Sequence, residues 1–280
     1  MPPIERRAVA AGRKAPPARE GVQSVERVIA LLRALGCAGP PLSVAQLSAA
    51  VSLPRPTVYR LMKTLNDQGM IAATDGGYVI GPRVLWLAAQ RLEQIDVRAA
   101  GRPVLLDLRD RTDETTHLAV LQQGQVVYID KVEPAGPLRM ASAIGKIIPA
   151  HCTALGKAML AYLPDADVAR VIDAWGTPRR TARTITDRHR LRGELAAVRA
   201  RGYAIDNVEN EDGIRCVGAP VFDHTGGVAG AVSVSGATRT VTMERVRRWL
   251  GPQVREAAER ISRSMGWKGT LGGDGEHNGS

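Results

Sequence analysis

Residues Leu53 to Gln68 read LPRPTVYRLMKTLNDQ. Val58, Leu61, Met62 and Leu65 recur at helical spacing, which predicts a helix that buries one stripe and leaves Arg55, Tyr59, Arg60 and Lys63 on the opposite face. That face carries no acid. Pro54 and Pro56 fall where a first helical turn tolerates proline, because backbone N–H groups there have no partner inside the helix, and Pro56 also presets φ. The reading is of a rigid helix start that presents positive charge outward. A lone basic amphipathic stretch also describes an ordinary solvated helix, so the flanking segments decide.

Upstream, Val25, Val28, Ile29, Leu32 and Leu35 predict an amphipathic helix capped by Ser24 and ended by Gly36 and Gly39. Ser43 then caps a short helix with Val44 and Leu47 inward, and AVSL turns directly into the Leu53 helix. Two short helices around a tight turn make a helix-turn-helix. Downstream, MIAATDGGYVIG reads as a hairpin around Asp75, Gly76 and Gly77, residues that accept a positive φ. Three helices followed by a hairpin is the winged variant. From Arg27 through Asn66 there are five basic residues and no Asp or Glu. A duplex-facing surface needs that bias, since neutralised phosphates release counterions and a carboxylate would repel the duplex.

In such a domain the third helix lies in the major groove with its N-terminal residues nearest the base edges. Arg55 and Arg60 are the candidates for bidentate contact with guanine. Thr57 suits a thymine methyl or a phosphate, Tyr59 and Lys63 the DNA backbone, and Ser43 and Gln46 phosphates beside the preceding helix. Residues 21–81 are thus expected to form the DNA-binding domain.

The chain has 280 residues, enough for two domains, and a net charge of +10 that suits a polyanionic partner. Residues 1–80 hold ten Lys and Arg against five Asp and Glu, half of the excess. No apolar run approaches the ~20 residues of a membrane span, and the N-terminus lacks a signal-peptide core, which reads as a cytoplasmic protein. Cys37, Cys152 and Cys216 make neither a disulfide framework nor a metal knuckle. His117, His151, His189, His224 and His277 lack ligand spacing, the pattern of surface residues, so no metal is expected. No Gly-rich phosphate loop, HExxH or paired-carboxylate spacing appears. His151 and Cys152 are adjacent and diverge on an extended segment, so neither joins Asp206 in a nucleophile arrangement. No catalytic residue and no cofactor are expected. A thiol redox switch using Cys152 and Cys216 is the alternative.

Residues 1–20 are Pro/Ala/Arg-rich and read as a disordered tail. From Val84 to Ile95, Leu85, Ala88, Leu92 and Ile95 form a seam at three- and four-residue steps that suits a partner helix, so residues 82–96 are expected to be the linker and a dimer contact. A helix from Val97 to Arg111 opens the C-terminal domain, residues 97–266. There THLAVLQQGQVVYIDKVE predicts a hairpin around Gln123 and Gly124, LRMASAI a further strand, and Gly145 to Pro149 a loop. TALGKAMLAYL reads as a helix capped by Thr153, with helices again at Asp165–Ala174 and Arg188–Arg201. YAIDNVE, RCVGAPVF and GAVSVSG read as strands. Val246, Leu250, Val254, Ala257, Ile261 and Met265 mark a closing helix that Gly266 ends. Residues 267–280 are too polar and Gly-rich to fold. The fold class is α+β, an antiparallel-rich sheet flanked by helices.

The order of these parts, with the strings TVYRLMKTL, PAHCTALGKAMLAYL, RGYAIDNVENEDGIRCVGAPVFD and GAVSVSG, resembles the IclR family of bacterial transcription regulators from about Val22 to Met265. The resemblance implies a winged helix-turn-helix, a helical linker, a GAF-like effector-binding domain, and assembly as dimers or dimers of dimers. It also implies small-metabolite effectors, often carboxylates, and action as repressor, activator or both.

For such an effector the residues themselves offer donors. Backbone N–H groups of Ala154, Leu155 and Gly156 start the Thr153 helix and carry the positive end of its dipole. Ser233 and Ser235 point to one face of their strand while Val232 and Val234 point to the other. Two hydroxyls side by side suit a carboxylate. Met140 and Ile144 are candidates for an apolar lip. The resemblance implies a pocket lined by Ala154, Leu155, Asp206, Cys216, Ser233 and Ser235. Asp206 would repel a carboxylate unless it is protonated or meets an effector hydroxyl or amine, so it points to a ligand with a donor group. The expected function is ligand-responsive binding of operator DNA.

Overall fold

Leu31, Leu35, Leu47, Val58, Met62, Leu65 and Ile71 enclose one core near the front of the chain; fully burying each such side chain contributes about 1.5–3 kcal/mol. They lie on α1 (Gln23–Cys37), α2 (Val44–Val51), α3 (Arg55–Asp67) and β1 (Ile71–Thr74), which pairs antiparallel with β2 (Gly77–Ile80). The structure, a computed structural model, describes residues 22–93, 96–135 and 141–271, the side chains of residues 91–93 excepted. The chain divides into two units at the Gln90–Arg91 bond.

In the first unit Ser43 caps α2 as expected, and Gln46 completes a reciprocal capping box. α1 differs in phase. Its cap is Val22, without a side-chain bond, so Ser24 sits inside the first turn, and the helix passes Gly36 to end at Cys37. Leu31 and Leu35 are its buried residues, while Val25 and Ile29 are 53% and 44% exposed. Of Asp75, Gly76 and Gly77, only Gly77 takes a positive φ. The hairpin gains a third extended segment through a bridge between Leu42 and Tyr78, which exchange both backbone hydrogen bonds. α4 (Pro82–Glu93) follows, with Leu85, Trp86, Leu87 and Ala88 exposed.

The second unit starts with α5 (Asp96–Thr112). Its sheet is antiparallel throughout, in the order β5-β4-β3-β8-β7-β6. These strands are β3 (Thr115–Gln122), β4 (Gln125–Val132), β5 (Ile147–Ile148), β6 (Ala204–Asn207), β7 (Ile214–Phe222) and β8 (Val228–Ala237). The β3–β4 turn has Gln123 and Gly124 both at positive φ, 49° and 79°, which matches the right-handed twist of its strands. One face packs on α5 and α10 (Gly251–Ser264) through Val217, Val232 and Val234. The other packs on α6 (Ala154–Leu160), and α8 (Arg188–Arg201) lies against α6, with α7 (Asp165–Trp175) between them in sequence.

Three expectations are corrected here. Within LRMASAI, residues 138–140 lie outside the described residues and 141–144 form no strand; the strand is Ile147–Ile148, inside the stretch expected to be a loop. Gly145 donates to Tyr128 O and so turns the chain onto the β4 edge. The closing helix is not uniform: α9 (Met243–Arg245) leads into a π turn at Val246–Leu250 before α10. The apolar positions step by four, four and three, longer on average than 3.6, and the wider turn keeps Val246, Leu250 and Val254 fully buried. Finally, the polar tail begins later than Gly266, because Trp267 stacks on Phe222 at 4.7 Å and Leu271 is buried.

A Cβ at Gly81 would lie 2.4 Å from Gly69 O and 2.8 Å from Ile71 backbone atoms, neither of which can yield as a flexible side chain would. Gly81→Ala is expected to cost about 1–3 kcal/mol and to speed amide hydrogen exchange across β1 and β2; unchanged protection there refutes the close-approach argument.

Candidate functional site

Two sets of candidate side chains emerge, one in each unit. In the first, Pro54 caps α3 and Pro56 occupies its first turn. Arg55, Tyr59, Arg60 and Lys63 are exposed and Thr57 is half-buried, while Val58, Met62 and Leu65 hold the helix on its core. Arg55, Arg60 and Lys63 side chains have no ion pair and no hydrogen bond among the described residues, so their donors are available. Ser43 and Gln46 are already engaged. Ser43 N and Oγ both donate to Gln46 Oε1 at 2.9 Å, and Gln46 N donates back to Ser43 Oγ at 3.3 Å. Their first role is to set the start of α2.

In the second unit the sheet register gathers the other set. Asp206 pairs with Cys216, Cys216 with Ser235, and Ser235 with Thr115. Two residues along, Gly218 pairs with Ser233 and Ser233 with His117. Directly paired residues share a face, so Asp206, Cys216, Ser233, Ser235 and His117 all stand on the α6 side. α6 comes close to the sheet at Gly218, and the turn before α6 folds tightly onto Gly156. A Cβ at Gly218 would sit 3.1 Å from Ala154 C, and one at Gly156 2.2 Å from Ala150 O. Ala154 and Leu155 are buried there. Gly156 is a correction: its N–H is donated to Thr153 Oγ1 at 3.2 Å and is not free for a ligand. Met140 lies outside the described residues, and Ile144 is 47% exposed.

Histidine 117 overturns the surface reading of the histidines. It is buried, its Nε2 lies 2.8 Å from Ser142 Oγ and its Nδ1 3.5 Å from Ser235 Oγ, and its ring meets that of Tyr128 at 4.8 Å. Burial, with the Lys131 charge second, lowers it to about 3 and keeps it neutral. His151 is buried too, against Pro178 O. His117 stands on the face of β3 opposite Leu118, so only the pairing of β3 with β8 reveals its place. Lys157 was also missed. It is fully buried and paired with Glu209 Oε1 at 2.5 Å and Glu194 Oε1 at 3.4 Å.

The set is one of buried polar groups in which burial disfavours the charged form. Burial pushes the Asp206 carboxyl up to about 7, against the hydrogen bonds its Oδ1 accepts from Glu209 N and Asn210 N. Burial likewise raises the Tyr128 phenol and the Cys216 thiol, and raises Cys152 to about 12. Thiolate is the reactive form, so a redox switch at these cysteines lacks its nucleophile at neutral pH. Ser233 Oγ is buried with no hydrogen-bond partner among the described residues.

Comparison with known families matches residues 24–75 to the IclR helix-turn-helix domain and residues 89–263 to the bacterial transcriptional regulator IclR C-terminal domain. The chain belongs to the IclR family. The HTH-type transcriptional regulator KdgR of Escherichia coli (strain K12) is 34% identical over 250 residues, 89% of this chain and 94% of KdgR. The transcriptional repressor IclR of the same organism is 30% identical over 254 residues, 89% of this chain and 92% of the repressor. The solved IclR structure from Thermotoga maritima superposes with a TM-score of 0.75 at 32% identity, covering 87% of this chain and 99% of that one. IclR-family members are DNA-binding transcriptional regulators of operator DNA that respond to small-molecule effectors, a role without catalysis. Among the described residues no helix is long and apolar enough to cross a membrane, and no cluster of His, Cys, Asp or Glu suits a metal.

With Asp206 raised from 3.8 to about 7, the folded chain keeps a proton that the unfolded chain has lost. Its contribution to stability is full below pH ~4 and gone once the pH has risen through 7. His117, lowered from 6.5 to about 3, contributes above its ordinary value and loses that as the pH falls toward 3. Asp206→Asn removes only the first effect. The stability of the wild-type chain relative to this variant is therefore expected to fall by roughly 4 kcal/mol between pH 4 and pH 8. Urea unfolding at both pH values measures it, and a constant difference rules out a buried protonated carboxyl.

Proposed function

We propose that this IclR-family regulator binds operator DNA through α3 as a homo-oligomer and senses a small carboxylate that also carries a hydroxyl or amine donor. Three regions divide the work: residues 21–81 hold DNA, residues 82–96 pair with a second copy, and residues 97–266 sense the ligand, in the cytoplasm where the operator lies. Arg55 and Arg60 read guanine, Thr57 meets a methyl or phosphate, and Tyr59 and Lys63 hold the backbone, with the α2 start at Ser43 and Gln46 beside a phosphate. Support for the pairing role is the exposed run Leu85, Trp86, Leu87 and Ala88 on α4; Leu92 side chain and Ile95 lie outside the described residues.

The observation that carries the sensing role is the buried, unpartnered Ser233 hydroxyl beside Ser235 and His117. A ligand carboxylate accepts from Ser233 and Ser235 and from the N–H groups of Ala154 and Leu155, while its own donor reaches Asp206 next to Cys216. Ile144 and Met140 shield its apolar part. Binding there changes how the α4 helices pair, and so the spacing of two recognition helices; half-sites must match the groove repeat, so a small change costs several base contacts together.

Arg60→Ala is expected to weaken binding to promoter fragments from the gene's own locus by at least roughly tenfold and to leave the oligomer unchanged in analytical ultracentrifugation. A gel shift with native affinity removes Arg60 from the groove. For the ligand, a panel of small hydroxy-carboxylates titrated against labelled operator should include one that changes DNA affinity, and Ser233→Ala should abolish that response while retaining DNA binding. A response untouched by Ser233→Ala places the sensor elsewhere.

A further inference from the structure

Between Arg179 and Arg192 the sequence carries six arginines and a single acid, Asp187. The segment joining α7 to α8 is irregular yet firmly anchored. Thr181 Oγ1 donates to Val208 O at 2.7 Å, and Thr184 Oγ1 donates to Glu209 O at 2.7 Å while accepting the N–H groups of Arg180 and Thr181. These bonds fix one wall of a cleft lined by Arg179, Arg183, Thr186, Arg190, Asn207 and Glu209.

The guanidiniums of Arg183 and Arg190 have no ion pair and no side-chain hydrogen bond among the described residues. Arg188 is different: it pairs with Asp173. Asp187 spends its carboxylate on Arg190 N as the cap of α8, at 2.8 Å. Like charges gathered in one cleft repel each other, so the arrangement is stabilised by an anion. A second observation is independent of the arginines. Glu209 is 5% exposed, gives Oε1 to Lys157, and keeps Oε2 buried with no partner. The lining therefore offers forked donors for an anion and one acceptor for a hydroxyl.

We propose that this cleft is a second ligand site, distinct from the Ser233 site, for a phosphate-bearing hydroxylated metabolite such as a sugar phosphate. Arg183 and Arg190 hold the phosphate, since planar guanidiniums match its oxygens in pairs, and Glu209 Oε2 accepts a ligand hydroxyl. One loop serves both sites. Asp206 faces the Ser233 site and its Oδ1 accepts the N–H of Glu209, so the two ligands are separated by a single hydrogen bond. Val208 between them holds a left-handed φ of 65°, a conformation a β-branched residue keeps only under constraint.

The test is isothermal titration of the full chain at fixed ionic strength with glucose 6-phosphate, inorganic phosphate and glucose. Saturable binding of both phosphates, tighter for glucose 6-phosphate, and none for glucose is the expected result. Arg183→Ala and Arg190→Ala should each weaken it roughly tenfold, whereas Arg188→Ala should not. Equal affinity for the two phosphates overturns the role of Glu209. No saturable heat beyond that of chloride, or binding that survives the double variant Arg183→Ala/Arg190→Ala, overturns the site. If the phosphates fail and the double variant instead loses affinity for mixed-sequence duplex DNA, the patch is a nucleic-acid surface and the proposal is wrong.

Discussion

Lys157 has no contact with solvent, and an ammonium group taken fully out of water costs several kcal/mol unless its charge and its donors are met. Glu209 Oε1 and Ile205 O, both at 2.5 Å, meet them, with Glu194 further off at 3.4 Å. To bring Glu209 back against α6, the chain leaving β6 must turn sharply, and it does so at Val208. That turn aims the N–H groups of Glu209 and Asn210 at Asp206 Oδ1. The turn that brings Glu209 to Lys157 thus also satisfies Asp206, which the register of β6, β7 and β8 sets in the polar row on that face of the sheet. Replacing the pair by apolar residues of similar volume would relieve the desolvation cost and lose that geometry.

Burial disfavours charge on this face. Asp206 is raised toward neutrality and His117 is kept neutral by the same burial. Both shifts follow from withholding water, and both turn titratable groups into hydrogen-bonding groups whose direction matters more than their charge. A site of that kind discriminates ligands by the pattern of donors and acceptors, because a mismatched one leaves a buried group unpaired.

The sequence was most legible where one physical signal dominated. The α3 stripe, the Ser43 cap, the Gln123–Gly124 turn and the alternation of Ser233 and Ser235 with Val232 and Val234 are local, set by period and turn chemistry. What stayed hidden depended on partners distant along the chain. His117 looks like a lone histidine until β3 pairs with β8 and sets it opposite Ser233. The α1 phase was misjudged because Val25 and Ile29 are apolar yet exposed, and composition does not say which apolar residues a small core has room for. Ile147–Ile148 is too short for a pattern, being fixed by pairing with Val126 and Val127. Leu271 reads as tail but fills the core beside Ile261.

Net charge alone also says little about which cations are available. In the second unit many are already matched: Arg102 with Asp130, Arg111 with Glu256, Arg201 with Glu194, Arg245 with Glu114 and Arg260 with Asp107. Four of these pairs tie α5, α9 and α10 to their surroundings, while Arg201–Glu194 lies within α8. On α3 the opposite holds, since among the described residues Arg55, Arg60 and Lys63 form no ion pair, even though Asp67 stands one turn beyond Lys63. An unmatched cation at a surface costs little, being fully hydrated, and keeps its full attraction for phosphate. Pairing rather than counting therefore separates the positive charge that builds the fold from that left over for anions, and by that measure Arg183, before α8, and Arg190, in its first turn, belong with the cations of α3.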